Sequence, residues 1–237
     1  MDRKPILIIV AAALISAVFW LFTPGGASAF TCGDNVTFNY RGQQVTYGTV
    51  TSTNAVCWMN RNLGASTTAT AYNDGNAYGD LFQWGRLDDG HQATSSATTT
   101  TLSGTNVPGN NLFISGMGSP YDWLVTQNNS LWQASSSYAN NPCPAGWRVP
   151  TYGEWSAEEA NFSPQSHVGA YNSPLKLTAA GLRDYSDGSL LSVGALGYYW
   201  SSSVNGAIAW YLFFYSSDSF MNNFYRAYGF SVRCLQD

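Results

Sequence analysis

The sequence predicts an α+β domain with few helices, many short antiparallel strands and long loops. Three observations lead there. Apolar and polar residues alternate in short runs, the pattern of half-buried strands. Only one strong helix start is present. Glycine, at 23 residues, and small polar residues interrupt nearly every run. The apolar fraction of 45% in 237 residues is enough to build a core and rules out a wholly disordered chain.

Val36, Phe38 and Tyr40 alternate with polar residues. After Arg41-Gly42-Gln43-Gln44 the pattern resumes at Val45, Tyr47 and Thr49, which makes a β-hairpin. Val56 to Met59 reads as a short buried strand. Residues 64–120 are rich in Ser, Thr, Gly and Asn and read as surface loops, with Tyr78 to Gly85 as an apolar island. Thr151 and Glu154 form a capping box, so a helix is expected over 152–162, ended by Ser163-Pro164. A strand is expected over Leu175 to Ala180, a turn at Ser186-Asp187-Gly188-Ser189, and a strand starting at Tyr198.

Residues 1–29 stand apart from this domain, which is expected to span 30–237. Arg3 and Lys4 precede an uncharged run of 18 residues, Pro5 to Phe22, and Ala27-Ser28-Ala29 is a small-x-small pattern before Phe30. A cleaved secretory signal is expected. The run is also long enough for an uncleaved membrane anchor. Either way the domain is secreted or at the cell surface, with membrane contact only through this segment. No Cys stands at the cleavage point, which argues against lipid anchoring.

Export implies oxidising conditions, and the four cysteines are an even number. Cys32, Cys57, Cys143 and Cys234 allow three connectivities. Cys32–Cys57 with Cys143–Cys234 is favoured, because the first closes a local loop and the second ties the chain end to its middle.

Charged residues are only 10% of the chain. Without residues 1–29, 8 basic and 13 acidic residues remain, with Lys176 the single lysine. A phosphate-backbone binder needs clustered Lys and Arg, so nucleic-acid binding is excluded. No nucleophile elbow, phosphate loop or dinucleotide fingerprint occurs. His91 and His167 read as surface histidines, Glu154 as a cap, and Glu158 and Glu159 as solvated. Asp80, Asp88 and Asp89 match no calcium loop, and no C-x-x-C pair marks zinc. No catalytic residue, metal or cofactor is expected.

Asn141-Pro142-Cys143-Pro144-Ala145-Gly146-Trp147-Arg148-Val149-Pro150-Thr151, followed by Glu154-Trp155, resembles the Fibrobacter major paralogous domain family. Cys57-Trp58-Met59-Asn60-Arg61-Asn62-Leu63-Gly64, Tyr78 to Gly85, Tyr199-Trp200-Ser201-Ser202 and Gly229 to Cys234 match in the same order. The resemblance implies a C-type lectin-like fold of the formylglycine-generating-enzyme type. It does not carry that enzyme's oxidase activity, because the cysteines here match structural positions. Trp147, Trp155 and Trp200 are core candidates, and Arg148 and Arg233 are candidates to pair with carbonyls or carboxylates.

Residues 208–228 hold nine aromatics in 21 positions, against 15% in the chain. Alternation puts Trp210, Leu212 and Phe214 on one side of a strand and Tyr211, Phe213 and Tyr215 on the other. A strand buried on one face needs one apolar set, so the second needs a partner. The segment resembles the variable proteins of diversity-generating retroelements, in which adenine-directed mutagenesis alters Asn codons. Ile208, Tyr211, Phe213, Tyr215, Asp218, Phe220, Asn222, Asn223, Phe224, Tyr225 and Tyr228 are all reachable by that route. They form the candidate ligand-binding set, with a protein or glycan on another surface as partner. The alternative is a structural or adhesive envelope protein of the same family.

Overall fold

The computed structural model describes residues 30–237 apart from 116, 117 and 120. The expected leader lies outside the described residues. Strands β1 (Asn35–Tyr40) and β2 (Gln43–Thr51) form the expected hairpin, in register from Asn35 opposite Gly48 to Tyr40 opposite Gln43. The turn is only Arg41-Gly42, both at positive φ (50° and 73°), so glycine takes the second strained position. Next come β3 (Cys57–Met59), β4 (Leu81–Gln83), β5 (Thr98–Thr99), β6 (Phe113–Ile114) and β7 (Trp147–Arg148). Helices α1 (Tyr152–Glu159) and α2 (His167–Asn172) follow. The last strands are β8 (Leu182–Arg183), β9 (Leu190–Leu191), β10 (Gly197–Asn205), β11 (Ile208–Phe214), β12 (Ser219–Phe224), β13 (Gly229–Ser231) and β14 (Leu235–Gln236).

The fold is therefore α+β, dominated by strands. One sheet runs β1-β2-β3-β14-β7, so the chain's last strand sits between β3 and β7. A larger sheet runs β12-β11-β10-β13-β8-β9, with β4 also paired to β13. A parallel pair, β5-β6, lies apart in the long loops. Among the described residues no helix is long and apolar enough to cross a membrane.

The large sheet has apolar clusters on both sides. One contains Trp58, Trp155, Leu175, Leu177, Tyr199, Leu212 and Phe214. The other contains Trp84, Trp123, Trp200, Tyr211, Phe230 and Val232. Burying each large side chain stabilises by roughly 1.5–3 kcal/mol. Tryptophan also brings a polar N–H that must be satisfied. Trp155 donates to the Trp200 carbonyl, Trp200 to Phe82, Trp84 to Ser201 and Trp123 to Trp84. These bonds lock α1 and the loop strands onto the large sheet. Gly197 lies opposite Phe214, and a Cβ there would sit 2.1 Å from the ring, so only glycine permits this pair.

Both favoured disulfides are present, Cys32–Cys57 and Cys143–Cys234. They suit an oxidising, extracytoplasmic compartment. Arg233, next to Cys234, is buried and donates to Asn62 Oδ1 and to the Met59 and Leu175 carbonyls. Burial lowers its guanidinium pKa to about 10. Arg148 forms a two-pronged pair with Glu154 and also meets Asp237.

Four expectations are corrected. The helix predicted over 152–162 stops at Glu159, because the N–H groups of Asn161 and Phe162 turn to carbonyls three residues back. Leu175 to Ala180 is buried but not a strand. Its N–H groups go singly to the Ser173, Ala170 and Tyr72 carbonyls and to the Tyr199 hydroxyl. Glu158 is buried rather than solvated, since it shares a helix face with Trp155 three residues earlier, and Ser52 Oγ donates to it. His91 is fully buried rather than at the surface. Its Nε2 accepts the Gln83 N–H of β4 at 3.0 Å, standing in for a strand partner, and its Nδ1–H donates to Asp89.

Candidate binding face

β11 lies between β10 and β12, and its register sorts the candidate residues. The Tyr215 N–H bonds to the Asp218 carbonyl and closes the turn between β11 and β12. Phe213 then faces Phe220, Tyr211 faces Asn222, and Ala209 faces Phe224. All of these point to one side of the sheet, together with Tyr198 of β10, which pairs with Phe213. Trp210 faces Asn223, Leu212 faces Met221, and Phe214 faces Ser219 on the other side, under α1. Ile208 and Asn223 therefore lie on the opposite side of the sheet from the other strand candidates. Asp218 sits in the turn, and Tyr225 and Tyr228 in the loop from β12 to β13.

The α1 side closes over its residues. Leu212 and Phe214 are fully buried, Tyr152 packs edge-on against Trp210, and Ser219 Oγ bonds Glu159. The other side stays partly open. Tyr211 and Tyr228 are buried rings packed on Phe230, so they belong to the core wall and not to the exposed set. Phe213 and Tyr215 are half-buried, while Phe220 and Phe224 are 37% and 39% exposed. Phe213 meets Tyr198, Tyr215 and Phe220 at centroid distances of 5.0, 5.5 and 5.3 Å.

At the other end Phe224 packs on Tyr225 and Tyr228. Two residues outside the segment extend the face. Tyr121 stacks on Tyr225 at 4.3 Å, and Tyr185 lies 4.7 Å from Tyr228. The sequence carried no signal for them, because each is a lone tyrosine in an irregular loop, brought here by tertiary packing alone.

The hydroxyls on this face share one state, which Tyr72, Tyr152 and Tyr171 elsewhere also show: no hydrogen bond to the described residues. Tyr40, Tyr47, Tyr78, Tyr138 and Tyr199 all use theirs in internal hydrogen bonds. Tyr121, Tyr185, Tyr198, Tyr211, Tyr215, Tyr225 and Tyr228 form none with the described residues, and none of these oxygens is sealed from solvent without a partner. The rings are thus held in place while their polar tips remain open. Burial raises the Tyr198, Tyr211 and Tyr228 pKa values, so these hydroxyls stay protonated.

Beneath the Tyr121–Tyr225 stack, Asp122 and Arg226 form a buried pair at 3.8 Å. Arg226 also lies over Trp84 and donates to Asn129 Oδ1 and the Gly206 carbonyl. Burial raises Asp122 to about 6 against the pull of Arg226. The Ala227 N–H bonds the Tyr121 carbonyl, which fixes the two loops together.

Asp80, Asp89 and His91 are already engaged, while the Nδ1 of His167, stacked on Tyr72, is buried without a hydrogen bond. Asp80 accepts from the Tyr40 hydroxyl and Arg41, and Asp89 from Arg86 and His91. Among the described residues no group of three or more His, Cys, Asp or Glu is placed to hold a metal ion. A shallow cavity of about 330 Å³, lined by Tyr40, Arg41, Val45, Tyr47 and the 64–66 loop, is separate from the aromatic face. Comparison with family models, curated proteins and solved structures finds no match to this chain.

Proposed function

We propose that this chain is an exported, non-catalytic binding protein on a C-type lectin-like scaffold, and that its aromatic face contacts a protein partner. The observation that carries the reading is a set of rings packed against a closed core, with hydroxyls that bond none of the described residues. Ordered tyrosines offer contact area at low entropic cost and present one polar atom each. Phe213, Tyr215, Phe220, Phe224 and Tyr225 supply the exposed area, and Tyr211 and Tyr228 support it from beneath. A broad aromatic surface favours a protein over a glycan, since such rings are enriched in protein interfaces. The two disulfides and the sequence of the leader support export.

The resemblance to variable proteins of diversity-generating retroelements supports a second feature of this reading, that the face is diversified. Sequencing the coding region from many cells of one population tests it. Differences are expected at the codons of Phe213, Tyr215, Asp218, Phe220, Asn222, Phe224 and Tyr225, with an unmutated template copy nearby. The codons of Ile208 and Asn223, on the other side of the sheet, should vary less. Invariant codons without a template copy would favour the adhesive or structural envelope protein.

A further inference from the structure

Five rings elsewhere in the described fold carry a cation of the chain itself. Arg61 lies over Tyr47, Arg86 over Trp123, Lys176 over Tyr171, Arg183 over Phe113 and Arg226 over Trp84. Among the described residues, no cation lies over the rings of the aromatic face. The sequence explains this. No Lys or Arg occurs between Arg86 and Arg148. From Asp184 to the last residue only Arg226 and Arg233 are basic, and both are buried.

Carboxylates stand at both ends of the face instead. Asp184 adjoins Tyr185, and burial together with the Asp184 charge raises the Tyr185 and Tyr228 hydroxyls. Its hydrogen bonds from Ser186 fall on Oδ1. Asp218 is exposed at the β11–β12 turn, and the Ser219 N–H also bonds its Oδ1.

A ring-rich surface bordered by negative charge attracts cations, because the faces of aromatic rings are electronegative. Tyr121, Tyr185 and Tyr225 lie 5.8, 4.3 and 5.6 Å from one another, which leaves no room for a cation between them. A cation must sit over an outer ring face. A guanidinium suits this position better than an ammonium, since it is flat, weakly hydrated and able to stack.

We propose that the partner is a basic protein surface whose arginine side chains stack on Phe224, Tyr225 and Tyr185, with Asp184 as the adjacent counter-charge. This rests on the reading of the face as a protein-binding surface and names the chemistry of its partner.

Two blocked pentapeptides test it, one alternating glycine with arginine and the other glycine with citrulline, the uncharged isostere. Each is titrated into the full chain while the ring signals of Tyr185, Phe224 and Tyr225 are followed by NMR. The arginine peptide should shift these signals saturably and bind about tenfold more tightly than the citrulline peptide, since two exposed cation–π contacts are each worth a few-fold. Asp184→Asn keeps the Oδ1 acceptor for Ser186 and should weaken the arginine peptide about threefold, leaving the citrulline peptide unchanged. Equal affinity of the two peptides would overturn the cation preference and leave the face as an apolar binding surface. No shift by either peptide, or shifts confined to other residues, would overturn the inference as well. Failure of the underlying reading shows separately, as loss of the fold when Phe220, Phe224 and Tyr225 are removed together, which would make these rings core.

Discussion

Tyr198 and Tyr199 are neighbours on β10 and point to opposite sides of the same sheet. Tyr199 is fully buried, and its hydroxyl donates to the Thr178 carbonyl while accepting from Asn62 and the Thr178 N–H. Tyr198 packs among Phe213, Tyr211 and Phe230, yet its hydroxyl bonds none of the described residues. The same contrast separates Phe214, sealed under α1, from Phe220 and Phe224 on the open side. A closed side must satisfy nearly all of its polar atoms, because an unpaired buried hydroxyl is costly; the Trp58 indole N–H is an exception there. An open side has no such requirement, and polar tips left free there are available to a partner.

Breaking what both sides share should have the largest effect. Cys143–Cys234 spans 91 residues and holds β14, which sits between β3 and β7. Replacing both cysteines by serine should cost about 4–5 kcal/mol, from the greater freedom of the unfolded chain. Urea unfolding under non-reducing conditions measures this, and both sides of the sheet should lose order together.

The next effect depends on acid. His91 needs a neutral ring, because its Nε2 accepts the Gln83 N–H. Burial, aided by the Arg86 charge, pulls its pKa down to about 4 from the usual 6.5. The neutral form is favoured in the fold, so the stabilising contribution is complete above pH 6.5. It is lost as the pH falls through about 4, a change of roughly 3 kcal/mol. This contribution makes the unfolding free energy rise between pH 4 and pH 7, against an opposite trend from Asp122, whose raised pKa favours the fold at low pH. In His91→Gln this part of the rise should disappear.

The smallest effect sharpens the contrast most finely. Tyr199→Phe leaves the Thr178 N–H and carbonyl without their buried partner and should cost about 1–3 kcal/mol. Tyr198→Phe removes a hydroxyl with no internal bond and should change stability by less than about 0.5 kcal/mol. Thermal unfolding of the two variants side by side checks the pair.

Local chemistry made part of this architecture legible. The hairpin followed from its alternation, the start of α1 from the Thr151–Glu154 cap, and the disulfides from the positions of four cysteines. Elements decided by tertiary contacts were not legible. Leu175 to Ala180 has strand-like composition, but its backbone N–H groups are scattered over four partners. His91 sits in a polar stretch, and only its place behind β4 makes it core. Within the candidate face, alternation correctly separated Tyr211, Phe213 and Tyr215 from Leu212 and Phe214. The same alternation places Ile208 with Trp210, but it could not show that Asn223 falls on that side, since this depends on the pairing of β12 with β11. Nor could it show that Tyr121 and Tyr185 join the face from distant loops.

The most direct test of the central claim, that the open rings are displayed rather than structural, is equilibrium urea unfolding of two variants. One carries Phe214→Ala alone. The other carries Phe220→Ala, Phe224→Ala and Tyr225→Ala together. The single substitution should cost about 3–5 kcal/mol, as expected for a fully buried phenylalanine. The triple variant should remain folded and lose less than this one residue, although it removes three rings. A triple variant that unfolds, or loses more than Phe214→Ala, would place these rings in the core and contradict the claim.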